Sequence, residues 1–352
     1  MKKHLKTIIG ILISALFVYL ALREIDWADL WSLFRQARYW LLIPAGLLIA
    51  LISVVRGYRW SLLLGKPHTL SLYRLYNIVN IGYLFNNVLP AKAGEFARAY
   101  LAGRAVPDGI GQALSSILIE RLLDVTCAVV LLLFLIPVVA LPRWITTAGL
   151  TLGIVVIVGV AALVVLSLYG ERGVDWLWRL VERLPLVGHP RVAPLAAKLK
   201  AFVLHLVEGF GVLTGRTMSE DGAGGQRRRR SQLPAILLSS AAVWGGYWLL
   251  NYVFILTFNM TELPAAAPAL VLCATGLSMV LPSSPGAIGP FEWAAAQALA
   301  VFNANESQAT GYAFGLHIYT NLVLIALGAI GLIVEGVSWA TIKRGAEAEE
   351  AS

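Results

Sequence analysis

The chain has 352 residues, 58% of them hydrophobic and only 14% charged, with a formal net charge of +8. A soluble domain carries about a quarter Asp, Glu, Lys and Arg, and no water-soluble core could hide this much apolar surface. The composition therefore excludes a soluble enzyme, and the basic surplus reads as a membrane orientation signal, not as a nucleic-acid footprint.

The opening Met1-Lys2-Lys3-His4-Leu5-Lys6 and the apolar run Thr7 to Leu22 supply the first two parts of a secretory signal. The third is missing: Arg23-Glu24-Ile25-Asp26-Trp27 has no small-x-small cleavage site, so an uncleaved first span is expected. Further spans are predicted at Tyr39 to Val55 and at about Leu122 to Leu141, Trp144 to Leu168, Leu233 to Phe258 and Gly315 to Trp339. With Met1 to Lys6 in the cytoplasm, all Lys and Arg except Arg23, Arg35, Arg38 and Arg143 fall on that side. The positive-inside rule then places both termini in the cytoplasm of a multi-pass cell-membrane protein.

That topology requires two further apolar stretches to enter the membrane and return. Leu70 to Leu89 carries Arg74, Asn77, Asn80, Asn86 and Asn87, then breaks at Pro90 and Gly94 before Glu95 and Arg98. Pro268 to Asn303 breaks at Leu281-Pro282-Ser283-Ser284-Pro285-Gly286-Ala287-Ile288-Gly289-Pro290, ahead of Glu292. Pro and Gly interrupt the backbone ladder, and the freed peptide groups survive at membrane depth only inside protein or beside water. Val88-Leu89-Pro90 with Gly94 matches Val280-Leu281-Pro282 with Gly286, so the expected fold is an all-α polytopic protein of about six spans and two broken re-entrant hairpins in an inverted repeat. The organisation read is a first half at 1–141 with its hairpin at about 70–100, an opening span of the second half at 142–170, a linker at 171–232, the rest of the second half at 233–344 with its hairpin at about 268–303, and a tail at 345–352. Within the linker, Pro194 to Leu213 has helical apolar spacing and Thr217 to Ser231 is Gly- and Arg-rich. The alternative to a repeat is that Pro and Gly merely kink packed helices.

Ionisable groups in apolar segments are functional candidates, because each costs a few kcal/mol at mid-membrane unless paired or wet. Arg56 and Arg59, on one helix face with Trp60, could grip a phosphate or snorkel to headgroups. Glu95 and Arg98 could pair with each other or line a cavity. Glu120 and Asp124 share a face, with Arg121 beside them, as a proton relay or as a structural lock to Arg98 or Arg59. In the second half Ser283, Ser284, Glu292, His317 and Asn321 are the polar groups available, while Cys127 and Cys273 read as packing residues. With neither a phosphate-binding loop nor a metal-ligand cluster, no cofactor is expected.

Arg56-Gly57-Tyr58-Arg59-Trp60, Asn86-Asn87-Val88-Leu89-Pro90 with Gly94-Glu95 and Arg98, Glu120-Arg121 with Asp124, and Leu281-Pro282 through Pro285-Gly286 and Gly289 with Glu292 together resemble the flippase-like transmembrane domain of lysylphosphatidylglycerol synthases. The resemblance implies a lipid flippase or transporter handling a phospholipid, glycolipid or polyprenyl-phosphate lipid with an anionic headgroup. The aminoacyl-transferase activity of full-length synthases is not carried over, because the chain stops soon after Lys343-Arg344. A membrane enzyme using Glu95, Glu120 and Asp124 as bases, or a noncatalytic subunit serving a partner enzyme of a lipid pathway, are the competing expectations.

Overall fold

The computed structural model describes residues 2–23, 25–65, 68–89, 93–107, 109–182, 200, 203–204, 207, 232–279 and 284–337. Pro90, Leu281, Pro282, Ser283, the Gly- and Arg-rich stretch of the linker, nearly all of its expected helix and the tail lie outside the described residues. Among the described residues there are twelve α-helices and no strand. The first half contains α1 (Lys2–Leu22), α2 (Trp27–Gln36), α3 (Leu42–Leu63), α4 (Leu72–Val88), α5 (Ala93–Gly103) and α6 (Gly109–Leu135). After it come α7 (Arg143–Tyr169), α8 (Glu171–Val181), α9 (Leu233–Thr257), α10 (Ala266–Ser278), α11 (Pro290–Ala300) and α12 (Glu306–Val334).

Four helical stretches are long and apolar enough to cross a membrane: Tyr39–Leu63, Ile145–Ser167, Leu233–Thr257 and Glu306–Val334. The other two predicted spans correspond to α1 and α6, of 21 and 27 residues, roughly 30 and 40 Å long at the α-helical rise. Short polar residues set several helix starts by accepting orphan N–H groups. Asp26 caps α2, Ser71 caps α4 and Asn305 caps α12. Two boundaries differ from expectation for a common reason. Charged residues read as span ends lie within helices: α3 continues past Val55 to Leu63, and α6 starts at Gly109 instead of about Leu122. Their charges are neutralised by partners on other helices, so the helices need not end. The last span differs for another reason: it starts earlier, as Glu306–Val334, where Asn305 caps it.

The packing has a two-fold pattern. In each half a short helix, a break and a second short helix fold back on each other, α4 on α5 and α10 on α11. The second short helix then packs on the following long one, α5 on α6 and α11 on α12. Across the halves α4 packs on α12 and, reciprocally, α10 on α6, with α3 against α9 at the centre. Arg74 and Asn77 of α4 both bond Glu335 just beyond α12, at 3.1 and 2.9 Å, fixing the register of that pair. The outer helices break the pattern: α1 packs on α11, whereas α7 rests on α6 and α8 and exposes Ile154, Val155, Ile157 and Val158.

Candidate functional site

The i, i+3 spacing of Arg56 and Arg59 puts both guanidiniums on the side of α3 that faces α6, where Glu120 and Asp124 present carboxylates one turn apart. Glu120 is the hub. Its Oε1 accepts from Arg56 at 2.8 Å and Arg59 at 3.4 Å, and its Oε2 accepts from Arg98 of α5 at 2.6 Å. Asp124 accepts from Arg59 at 2.8 Å and from Arg56 at 3.1 Å. Arg121 extends the network outward, 3.7 Å from Asp124 and donating to Glu95 at 2.9 Å. Four guanidiniums thus meet three carboxylates, an excess of one positive charge.

Neighbouring aromatic and hydroxyl groups complete the site. Arg98 lies over the Trp60 ring, 4.3 Å from its centroid, and the Trp60 Nε1–H donates to Ser116. Tyr83 of α4 and Tyr247 of α9 flank Arg56 with their rings, and Ser240 of α9 accepts from Arg59. Tyr83, Tyr247 and Ser240 were not legible as site residues, because uncharged groups on apolar helices carry no signal of what they face. The side chains of Arg59 and Glu120 are fully buried, while Arg121 keeps 34% of its surface. The network therefore runs from a dry hub to an accessible edge at Arg121 and Glu95. Neither Arg56 nor Arg59 snorkels, and Glu95 and Arg98 bond to α6 and not to each other. The Nε–H groups of Arg56, Arg59 and Arg98 are buried and have no hydrogen-bond partner among the described residues. Buried donors of this kind are uncommon in a finished core.

The residues of the breaks divide between scaffold and contact. Gly94 has a structural cause: a Cβ there would stand 1.8 Å from the Gly82 carbonyl oxygen, so only glycine lets α4 and α5 approach this closely. Asn86 accepts from the Gly94 N–H at 2.9 Å, and Asn87 donates to the Tyr83 carbonyl. In the second break Ser284 N–H donates to Ser14 of α1 at 2.8 Å, followed by a 3-10 turn at Pro285–Ala287. Gly286 lies in this turn with φ 72°, and a Cβ on it would meet the side chains of Asn87 and Asn321. The second break therefore meets the end of α4, just ahead of the first. Gly289, φ 99°, donates its N–H to Glu292 at 2.7 Å, and the other Glu292 oxygen lies 2.7 Å from Nδ1 of His317.

The letters pair Gly94 with Gly286, but these glycines are not structural equivalents: Gly94 is inside α5, and Gly286 precedes α11. The equivalents are Glu95 and Glu292, each the third residue of its helix. Each bonds a base on the next helix, Arg121 and His317, at sequence separations of 26 and 25. The repeat is carried by this acid–base slot.

A family model described as the lysylphosphatidylglycerol synthase TM region matches residues 7–328. Comparison with curated proteins gives no match.

Proposed function

The chain belongs to the lysylphosphatidylglycerol synthase transmembrane-region family, and from that premise we propose that it moves a phosphate-bearing lipid between the leaflets of a cell membrane. The observation that carries this reading is the charge balance of the network. Arg56, Arg59, Arg98 and Arg121 outnumber Glu95, Glu120 and Asp124, and three guanidinium Nε–H donors are unmatched among the described residues. A planar guanidinium suits phosphate oxygens, and a buried excess of positive charge is relieved by an anion. The headgroup reaches the network at the Arg121–Glu95 edge, while the acyl chains stay in lipid. Inverted repeats with broken helices hold transported substrates at their interface in this way. Both termini face the cytoplasm on the charge asymmetry of the loops. The pairing of Glu120 and Asp124 with arginines opposes a general-base role, since a carboxylate held by two or three guanidiniums is a poor proton acceptor.

The test is mass spectrometry of the lipids retained by the gently purified protein, comparing wild type with Arg121→Gln. Selective retention of one phosphate lipid class by the wild type, reduced in the variant, supports the reading and identifies the class. Retention of bulk membrane lipid alone by both would contradict it and favour a noncatalytic subunit.

A further inference from the structure

The second break holds a titratable pair that the arginine network does not use. Glu292 and His317 are 1% and 2% exposed and occupy the slot filled by Glu95 and Arg121 in the first half. A guanidinium is charged at every physiological pH, whereas the charge of an imidazole is set by a single proton near neutrality. The slot that is permanently ionic in one half is thus switchable in the other. Both Glu292 oxygens are committed, one to His317 Nδ1 and one to the Gly289 N–H that opens α11. Nε2 of His317 is buried with no hydrogen-bond partner among the described residues, and the ring stacks on Phe291 with centroids 4.0 Å apart. With Nδ1–H donating to Glu292, Nε2 offers a free lone pair.

The surrounding elements add little competing charge. Around this break α1 presents Ser14 and Phe17, and α4 presents Asn87. Cys273 of α10 faces the Ala128 carbonyl of α6. Leu30 and Leu33 of α2 face Gly311, with Asp26 beyond them at Ser307. On α12 itself Tyr312 is bonded to Asn251 of α9, and Tyr319 to the Leu42 carbonyl of α3. Among the described residues Glu292 is the charged group bonded to His317.

We infer that the Glu292–His317 pair is a proton-coupling site, taking a proton at His317 Nε2 from water on one side of the membrane and releasing it to the other as the lipid headgroup passes the second break. The step forms an Nε2–H bond on the imidazole and breaks an O–H bond of hydronium, leaving water; release on the other side is the reverse transfer. The imidazolium then stands against the carboxylate as Arg121 stands against Glu95, and loss of the proton restores the neutral ring. Because the same carboxylate caps α11 through Gly289, a change in its hold on the ring reaches the backbone of the break. The inference rests on the lipid-transport reading, for which it supplies an energy source.

The test uses the full chain, labelled with nitrogen-15 histidine, in vesicles of phosphatidylethanolamine and phosphatidylglycerol. The His317 ring signal, assigned by its loss in His317→Gln, is expected to report both the neutral ring and the imidazolium as the pH is varied. In the same vesicles a gradient of about one pH unit should shift the leaflet ratio of fluorescent phosphatidylglycerol by up to about tenfold for one proton per lipid. His317→Gln and, as a second variant, Glu292→Gln should both hold that ratio at its no-gradient value. A ring fixed in one protonation state, or a wild type that moves lipid yet ignores the gradient, overturns the coupling and leaves the transport reading intact. A wild type that moves no lipid overturns both.

Discussion

Counting from the acid–base slot of each half shows how far the two repeats have diverged on one frame. Three residues past the acid stands Arg98 in the first half and Ala295 in the second; one residue before the base, Glu120 and Leu316; three after it, Asp124 and Thr320. Around the first break those positions build a continuous ionic network. Around the second they build a mainly neutral interior, where Tyr312 donates to Asn251 at 2.9 Å and, among the described residues, the pair Glu292–His317 is the ionisable feature that recurs. The packing pattern of α4, α5 and α6 is nonetheless mirrored by α10, α11 and α12. Helix packing depends on size and shape at the contacts and tolerates changes of chemistry at the slot, so one half can specialise in charge while the other stays mainly neutral.

The comparison is broken most severely at its hub. Glu120→Ala leaves Arg56, Arg59 and Arg98 short of a buried partner and is expected to destabilise the protein by about 3–5 kcal/mol, read as a large fall in thermal midpoint in detergent. At the equivalent position of the second half the buried Leu316 carries no charge, and the volume-conserving Leu316→Met should cost less than about 1.5 kcal/mol; a loss as large as that of Glu120→Ala would show that the halves do not differ in kind. Next in size is Gly94→Ala, whose Cβ collides with the Gly82 carbonyl. It should cost about 1–3 kcal/mol by forcing α4 from α5, and an unchanged midpoint would show that the helices are not held this closely. The smallest stability effect is expected at the edge: Arg121→Gln loses partly exposed pairs with Glu95 and Asp124, worth about 1 kcal/mol or less. Because this variant barely disturbs the fold, its loss of lipid retention would report on binding.

The family and the charged site were legible because a charged side chain in a chain of this composition stands out, and its expense demands a partner or a function. The partners were less legible. That Glu120 bridges three arginines depends on how α3, α5 and α6 meet, which no local pattern encodes, and for the same reason Arg56, Arg59 and Glu120 were read near helix ends instead of inside helices. α2 was missed altogether, although Asp26 ahead of Trp27 is an N-cap signal and its side chain accepts from Ala28 and Asp29. In the repeat the letters Pro and Gly drew the eye to Gly94 and Gly286. The matched features are the acids, whose equivalence emerges only when the helix starts are known.

Lipid passage along the arginine network is tested by the movement of a fluorescent phosphatidylglycerol between leaflets of vesicles containing the full chain, without any gradient, for wild type and Arg121→Gln. Wild type is expected to carry the label to the inaccessible leaflet well above the protein-free rate, and the variant, equally folded, to be several-fold slower. Equal rates in the two proteins, or a wild type no faster than empty vesicles, would contradict a lipid path through the arginine network.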